Sequence, residues 1–166
     1  VAPVGEVPGV PTVNIEPSPE HEEFRRDIRG FIDREVTPEL REEMRTPEGW
    51  IATGRGTLGF LQKMGESGWL GVSWPVEHGG KGLPLIYQHI LIEEFTYNGL
   101  PYGGHTVNTL GPILARIGTE EQRQTYLPPI LRGQSQISLG YTEPDAGSDL
   151  ASMKTAAVRD GDEYII

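Results

Sequence analysis

The stretch of this sequence best furnished for chemistry is Thr142-Glu143-Pro144-Asp145-Ala146-Gly147-Ser148-Asp149. It follows an alternating run, Gln134 to Thr142, whose two-residue period reads as a strand. Pro144 has no N–H and breaks that pattern. Gly147, Ser148 and Asp149 then suit a turn whose amides stay exposed. Successive amide N–H groups beside a serine hydroxyl make a nest that holds an anion such as phosphate without any lysine. Thr142 brings a hydroxyl with one donor and two acceptor lone pairs, enough to grip the edge of a heterocycle. The same residues also read as a strand end followed by an Asp-containing turn, and both readings stand at this point.

Other stretches carry less. Gly54 to Gly59, GRGTLG, has the spacing of a dinucleotide fingerprint, but TPEGWIAT before it is no Val/Ile-rich strand. It is read as a loop leading into a helix. In GGKG, Gly79 to Gly82, the lysine is followed by glycine where a phosphate loop needs Ser or Thr. It is read as an irregular loop. His21, His78, His89 and His105 are scattered, with no helical metal pair among them. They read as surface or packed residues, although His105 could line a pocket. Glu93 and Glu94 are neighbours, so on a helix they point about 100° apart. They do not form a paired-carboxylate site, and a surface or buried ion-pair role is expected.

The elements that would position these residues change character along the chain. Val1 to Pro17 holds four prolines and reads as a draped arm. Ser18-Pro19 is a helix start, and Phe24, Ile28, Phe31 and Ile32 then mark one apolar face, ending near Thr37-Pro38. Leu58, Leu61 and Met64 mark a second helix that closes at Gly65 or Gly68. GWLGVSWPVEHGGKGLP is a glycine-rich loop with two tryptophans. Helices are expected over about 85–97 and 102–117, and Thr119 to Gln122 is a capping box opening another that ends around Arg132-Gly133. After Gly133 come strand signals: the run above, SMKTAAVRD, a hairpin signal at Asp160-Gly161, and EYII. The expected fold class is therefore α+β: an all-α helical-bundle domain over 18–133 after the arm at 1–17, then the first strands of a β-domain over 134–166. Three strands cannot both bury a face and protect their edges, so this β part is expected to be incomplete.

Composition narrows the function. The net charge of −10 and the absence of a basic stripe argue against nucleic acid. With no cysteine there is no disulfide, thiolate metal site or cysteine nucleophile in this stretch of chain. No apolar run approaches the ~20 residues of a membrane helix. The N-terminus lacks the pattern of a signal peptide. A cytoplasmic protein without membrane insertion is expected.

Over Ser18 to Ile166 the sequence resembles the acyl-CoA dehydrogenase family. GWLGVSWPVEHGGKGLP is similar to a family segment of the form G-W-x-G-x-x-x-P-x-E-x-G-G-x-G, and LIEEF to its Glu-Glu helix. LGPILARIGTEEQRQTYLPPILRGQ resembles the helix-turn-helix that leads to the sheet. GYTEPDAGSDL resembles the flavin-binding signature and is the most specific part. SWP and LPPILRG are similar to the wording of actinobacterial members. The resemblance implies FAD as cofactor and a middle domain that is β-barrel-like. It implies that backbone groups of Leu139 and Tyr141 and the Thr142 side chain meet the flavin. Ala146, Gly147 and Ser148 would lie against the pyrophosphate, and Ser148 would also touch bound acyl-CoA. Tyr141 departs from the smaller residue many members carry. The implied reaction is oxidation of acyl-CoA to trans-2-enoyl-CoA, with electrons passed to an electron-transfer flavoprotein. A homo- or hetero-oligomer, dimer or tetramer, is implied as well. The family's catalytic glutamate is expected beyond Ile166, so no residue here is assigned as catalytic base and none as metal ligand. These 166 residues alone are expected to be inactive. An acyl-CoA oxidase or flavin monooxygenase on the same scaffold, or a non-catalytic subunit of a heteromeric dehydrogenase, are the alternatives.

Overall fold

The computed structural model describes residues 17–166, the Trp50 side chain excepted. The arm expected over Val1 to Pro17 lies outside the described residues save for Pro17. Two compact units divide between Gln136 and Ile137.

The first unit is helical because its caps and apolar stripes are strong. Helix α1 spans Pro19–Glu35, with proline at its first position and the Ser18 hydroxyl accepting from the His21 N–H. His21 closes a capping box by accepting the Ser18 N–H on Nδ1 at 3.2 Å, a job usually done by Glu or Gln. The buried face of α1, Ile28, Phe31 and Ile32, packs against α5, Leu85–Tyr97, which buries Ile90, Leu91 and Phe95. Rings of Phe31, Phe60, Trp69 and Phe95 meet at centroid distances of 5.7 to 6.3 Å and form the centre of the core. Each fully buried ring of this size contributes roughly 1.5–3 kcal/mol through its burial.

Short helices α2, Pro38–Glu43, and α3, Pro47–Trp50, lead to α4, Arg55–Glu66. The GRGTLG stretch, read as a loop leading into a helix, is the start of the helix itself, with Gly54 as the cap of α4 and Arg55 to Gly59 as its first residues. The cap position of α4 has no side chain of its own. Glu43 supplies the acceptor instead, taking the N–H of Gly56 at 3.0 Å and of Thr57 at 2.7 Å. A carboxylate suits this positive end of the helix dipole. The Thr57 amide first, then the Thr57 hydroxyl and the Gly56 amide, hold the Glu43 carboxyl below the usual glutamate range.

The glycine-rich loop is folded rather than open. Trp69, Leu70, Val72 and Trp74 are buried, and the chain returns on itself through Lys81 N–H to Gly71 O and Leu83 N–H to Val72 O. Gly80 is required here: a Cβ would fall 2.1 Å from the Trp74 carbonyl oxygen. Helix α6, Gly111–Ile117, continues a π-helical turn over Thr106–Leu110, where a single unbroken α-helix had been expected. Helix α7, Glu120–Leu131, opens with the expected capping box between Thr119 and Gln122.

The second unit corrects the strand reading. Its only ladder among the described residues is a hairpin of β1, Val158–Asp160, and β2, Glu163–Ile165, in antiparallel register with Arg159 opposite Tyr164. The run 134–142 forms no strand, and SMKTAAVRD does so only at its end. Alternation records which face a strand would bury, but a strand exists only where a neighbour takes its hydrogen bonds. A barrel-like sheet is therefore not present in this unit. The hairpin loop is Gly161-Asp162, one residue later than expected, with Gly161 at φ 64°. A positive φ at the first loop position is what glycine tolerates and a two-residue hairpin uses.

Candidate functional site

The TEPDAGSD stretch folds locally. Glu143 and Ala146 exchange both backbone hydrogen bonds, at 3.3 and 3.0 Å, so Pro144 and Asp145 form the tip of a tight turn. Ala146, which closes the turn, is buried, at 1% exposure. The Glu143 carboxylate pins the turn to a segment further on. It accepts the Lys154 N–H at 3.0 Å, the Thr155 N–H at 2.6 Å and the Thr155 hydroxyl. The Thr155 hydroxyl first, then the Lys154 and Thr155 amides, hold this carboxyl below its ordinary value. Glu143 was not singled out in the sequence. Its partners lie eleven and twelve residues away, and no local spacing announces them.

The residues expected to bind are displayed around this turn. Leu139 and Tyr141 are about half exposed, at 46% and 57%. Thr142, Gly147 and Ser148 are exposed, and the Thr142 and Ser148 hydroxyls make no hydrogen bond among the described residues. The amide N–H groups of Gly147, Ser148 and Asp149 likewise find no acceptor among the described residues. Gly147 does not take the left-handed φ of an αR–αL nest, so the amides are free but not gathered by that geometry. Amides and hydroxyls left unpaired in this way are groups that can donate hydrogen bonds to an anion.

The other sequence candidates settle elsewhere. Glu94 is buried and Glu93 exposed, as their angular separation requires. Glu94 accepts from Arg25 Nη1 at 2.5 Å and from Arg29 Nε and Nη2 at 2.8 and 2.9 Å. Hydrogen bonds from Arg29 above all hold its carboxyl below the ordinary value, against the opposing effect of burial. This is a buried ion pair, one of the two roles expected for LIEEF, and it ties α1 to α5. His105 is exposed and lines neither of the two clefts described for the first unit. No group of three or more His, Cys, Asp or Glu residues among the described residues could hold a metal. Lys81 of GGKG lies 4.4 Å from the Trp69 ring centroid and donates to the Ser67 carbonyl; burial lowers its pKa.

Two clefts among the described residues of the first unit are large enough to hold a small molecule. One, of about 470 Å³, runs between the glycine-rich loop and α7 past His78, Lys81 and Arg123. The other, of about 500 Å³, is walled by Trp74, Pro75, Val107, Pro112 and Ala115, with Gln88 and Asn108 among its polar groups. Gln88 was missed in the sequence. A signal was there: positions 88, 91 and 95 share one face of α5, and a polar residue interrupts an otherwise apolar stripe.

Comparison with known proteins agrees with this architecture. The family model for the acyl-CoA dehydrogenase N-terminal domain matches residues 18–134. The chain belongs to the acyl-CoA dehydrogenase family. Acyl-CoA dehydrogenase FadE26 of Mycobacterium tuberculosis is 39% identical over 149 residues, covering 90% of this chain and 37% of that protein. Among solved structures, the ChsE4–ChsE5 complex from Mycobacterium tuberculosis superposes with a TM-score of 0.78 at 37% identity, over 92% of this chain and 38% of that one. The Tcur3481–Tcur3483 steroid ACAD matches with a TM-score of 0.78 at 41% identity, over 92% of this chain and 39% of that one. The chain thus spans somewhat over a third of the length of these relatives. The actinobacterial wording noted in the sequence agrees with the mycobacterial matches. No helix among the described residues is long and apolar enough to cross a membrane.

Proposed function

We propose that the full-length protein is an FAD-dependent acyl-CoA dehydrogenase that converts acyl-CoA to trans-2-enoyl-CoA and passes electrons to an electron-transfer flavoprotein. The observation that carries this reading is the set of unpaired donors at Thr142, Gly147, Ser148 and Asp149, in a chain of this family. FAD, when bound, supplies the hydride acceptor that a protein side chain cannot provide.

This chain's part is to hold and orient. Backbone groups of Leu139 and Tyr141 and the Thr142 hydroxyl would meet the flavin. Gly147 and Ser148 would give amide donors to the pyrophosphate beside Ala146, and Ser148 would also meet the acyl-CoA. The Glu143 clamp on Lys154 and Thr155 fixes the turn before a ligand arrives, so less ordering is needed on binding. No residue here is assigned the base that removes the substrate proton. Two relatives are described as a two-protein complex and as a steroid ACAD. They support an oligomeric enzyme and make a steroid-bearing acyl thioester worth assaying beside straight-chain acyl-CoA.

The test is FAD retention by the full-length protein. It should purify yellow with stoichiometric FAD and be reduced anaerobically by an acyl-CoA. Replacing Gly147 and Ser148 together by phenylalanine should abolish FAD retention and leave the helical circular-dichroism signal intact. Equal FAD content in the replaced protein would overturn the reading. Reoxidation of the reduced protein by air at a rate matching turnover would reassign it as an oxidase.

A further inference from the structure

Three asparagines occur in the chain, Asn14, Asn98 and Asn108, and of these Asn98 is the one followed by glycine. A glycine after asparagine leaves its nitrogen without steric cover, because it has no Cβ. Asn98 is the C-terminal cap of α5, and Gly99 follows at φ 65°. The helix end is latched in the manner of a Schellman motif. Gly99 N–H donates to Thr96 O at 3.0 Å and Leu100 N–H to Phe95 O at 2.9 Å. Asn98 Nδ2 adds a hydrogen bond to Glu94 O at 2.8 Å.

The latch is anchored on one side only. Phe95 and Leu100 are buried, whereas Tyr97 is 89% exposed and nothing lies within 4 Å of a Cβ built on Gly99. Asn98 is half-buried and Gly99 exposed. A helix end held by solvent-exposed backbone hydrogen bonds belongs to the part of a structure that opens without global unfolding. In the closed state the two residues cannot react with each other. Asn98 stands at ψ 3°, which turns the Gly99 nitrogen away from the Asn98 side chain. The side-chain amide is held by Glu94 O and the Gly99 N–H by Thr96 O. Opening of the helix end frees both.

We infer that Asn98 is a site of spontaneous deamidation gated by opening of the α5 C-terminus, and that the product keeps the latch from closing again. The Gly99 nitrogen attacks Asn98 Cγ, and the new C–N bond closes a five-membered ring. The side-chain nitrogen leaves as ammonia, taking the Gly99 proton. Water then opens the ring at either carbonyl, giving aspartate or isoaspartate, and no other reactant is consumed. A carboxylate cannot donate to Glu94 O, and its charge opposes the negative end of the helix dipole. Isoaspartate also inserts the side-chain methylene into the backbone, so Gly99 N–H and Leu100 N–H lose their register with Thr96 and Phe95. The same helix end carries Glu94, whose ion pair joins α1 to α5. None of this depends on a bound flavin.

The test incubates full-length protein in mildly alkaline buffer at body temperature and follows the tryptic peptide Gly82–Arg116 by mass spectrometry. Asn108 lies in the same peptide, is followed by threonine, and serves as the internal control. Over days the peptide should gain an acid at Asn98, with isoaspartate among the products, and keep the amide at Asn108. Global unfolding alone would allow a rate equal to that in urea multiplied by the unfolded fraction. The observed rate should exceed this by about tenfold or more, as local opening predicts. Asn98→Gln, which would have to close a six-membered ring, should leave the peptide unchanged. Amide exchange at Leu100 should be faster in the modified fraction than in the unmodified one. An intact Asn98, equal conversion at both asparagines, a rate no higher than global unfolding allows, or unaltered Leu100 exchange would overturn the inference.

Discussion

Replacing Glu94 by glutamine tests how the helical unit holds α1 against α5. The glutamate side chain is 5% exposed and receives three hydrogen bonds from two arginines. Glutamine keeps the shape, loses the charge, and leaves both guanidinium groups facing a neutral amide. Removing one partner of a fully buried ion pair costs about 3–5 kcal/mol. Here Arg29 is 57% exposed and recovers water, and Arg25 keeps Glu93 at 2.8 Å. The expected loss is therefore smaller, about 2–3 kcal/mol after discounting for the exposed partner. For a chain of this size that lowers Tm by about 4–12 °C. Glu93→Gln is the control: its side chain is 54% exposed, and loss of such a pair costs at most about 1 kcal/mol. The pH dependence adds a second criterion. The Glu94 carboxyl is held below the ordinary 4.5, so its contribution is complete above that value and declines as pH falls through the folded one. Thermal unfolding followed by circular dichroism should show the wild-type advantage over Glu94→Gln at neutral pH. The advantage should shrink below pH 4.5. A Glu94→Gln loss no larger than that of Glu93→Gln, or a gap that persists unchanged into acid, would refute the reasoning.

Two further outcomes follow from the same contacts. Glu43→Gln should speed amide exchange at Gly56 and Thr57, since the carboxylate that caps α4 is gone. Its stability cost, read by urea unfolding, should be present at neutral pH and fade as pH falls through the lowered Glu43 value. Trp74→Phe removes the indole donor to Val107 O, a hydrogen bond in a buried setting. It should cost about 1–3 kcal/mol in urea unfolding. An unchanged midpoint would show that water replaces the bond.

What was legible in the sequence divides by the distance over which a residue finds its partner. The starts of α1 and α7 were readable because Ser18 and Thr119 cap amides three residues on, a relation set by helix geometry alone. That Glu93 and Glu94 point apart was readable for the same reason, since one residue of helix turns the side chain by about 100°, but which of them is buried was not. Glu43 and Glu143 were not. Each carboxylate serves backbone amides eleven to fourteen residues further along, where nothing in helix or turn periodicity fixes the approach. The π-turn was hidden because one extra residue per turn leaves the apolar pattern almost unaltered, yet it sets Asn108 against Gln88 across twenty residues. The candidate flavin stretch shows both behaviours. Its turn was read at Gly147 to Asp149 and lies earlier, at Pro144-Asp145, where Glu143 and Ala146 bond to each other. The strand before it was not, because alternation cannot supply a neighbouring chain. Residues 134–142 therefore carry a pattern suited to a sheet whose partner strands are not this unit's hairpin. If that is so, amides of this run should exchange rapidly in the 166-residue chain and slowly in the full-length protein. Fast exchange in both would mean that the alternation has no structural counterpart, and that the placing of Leu139 and Tyr141 against a flavin loses its support.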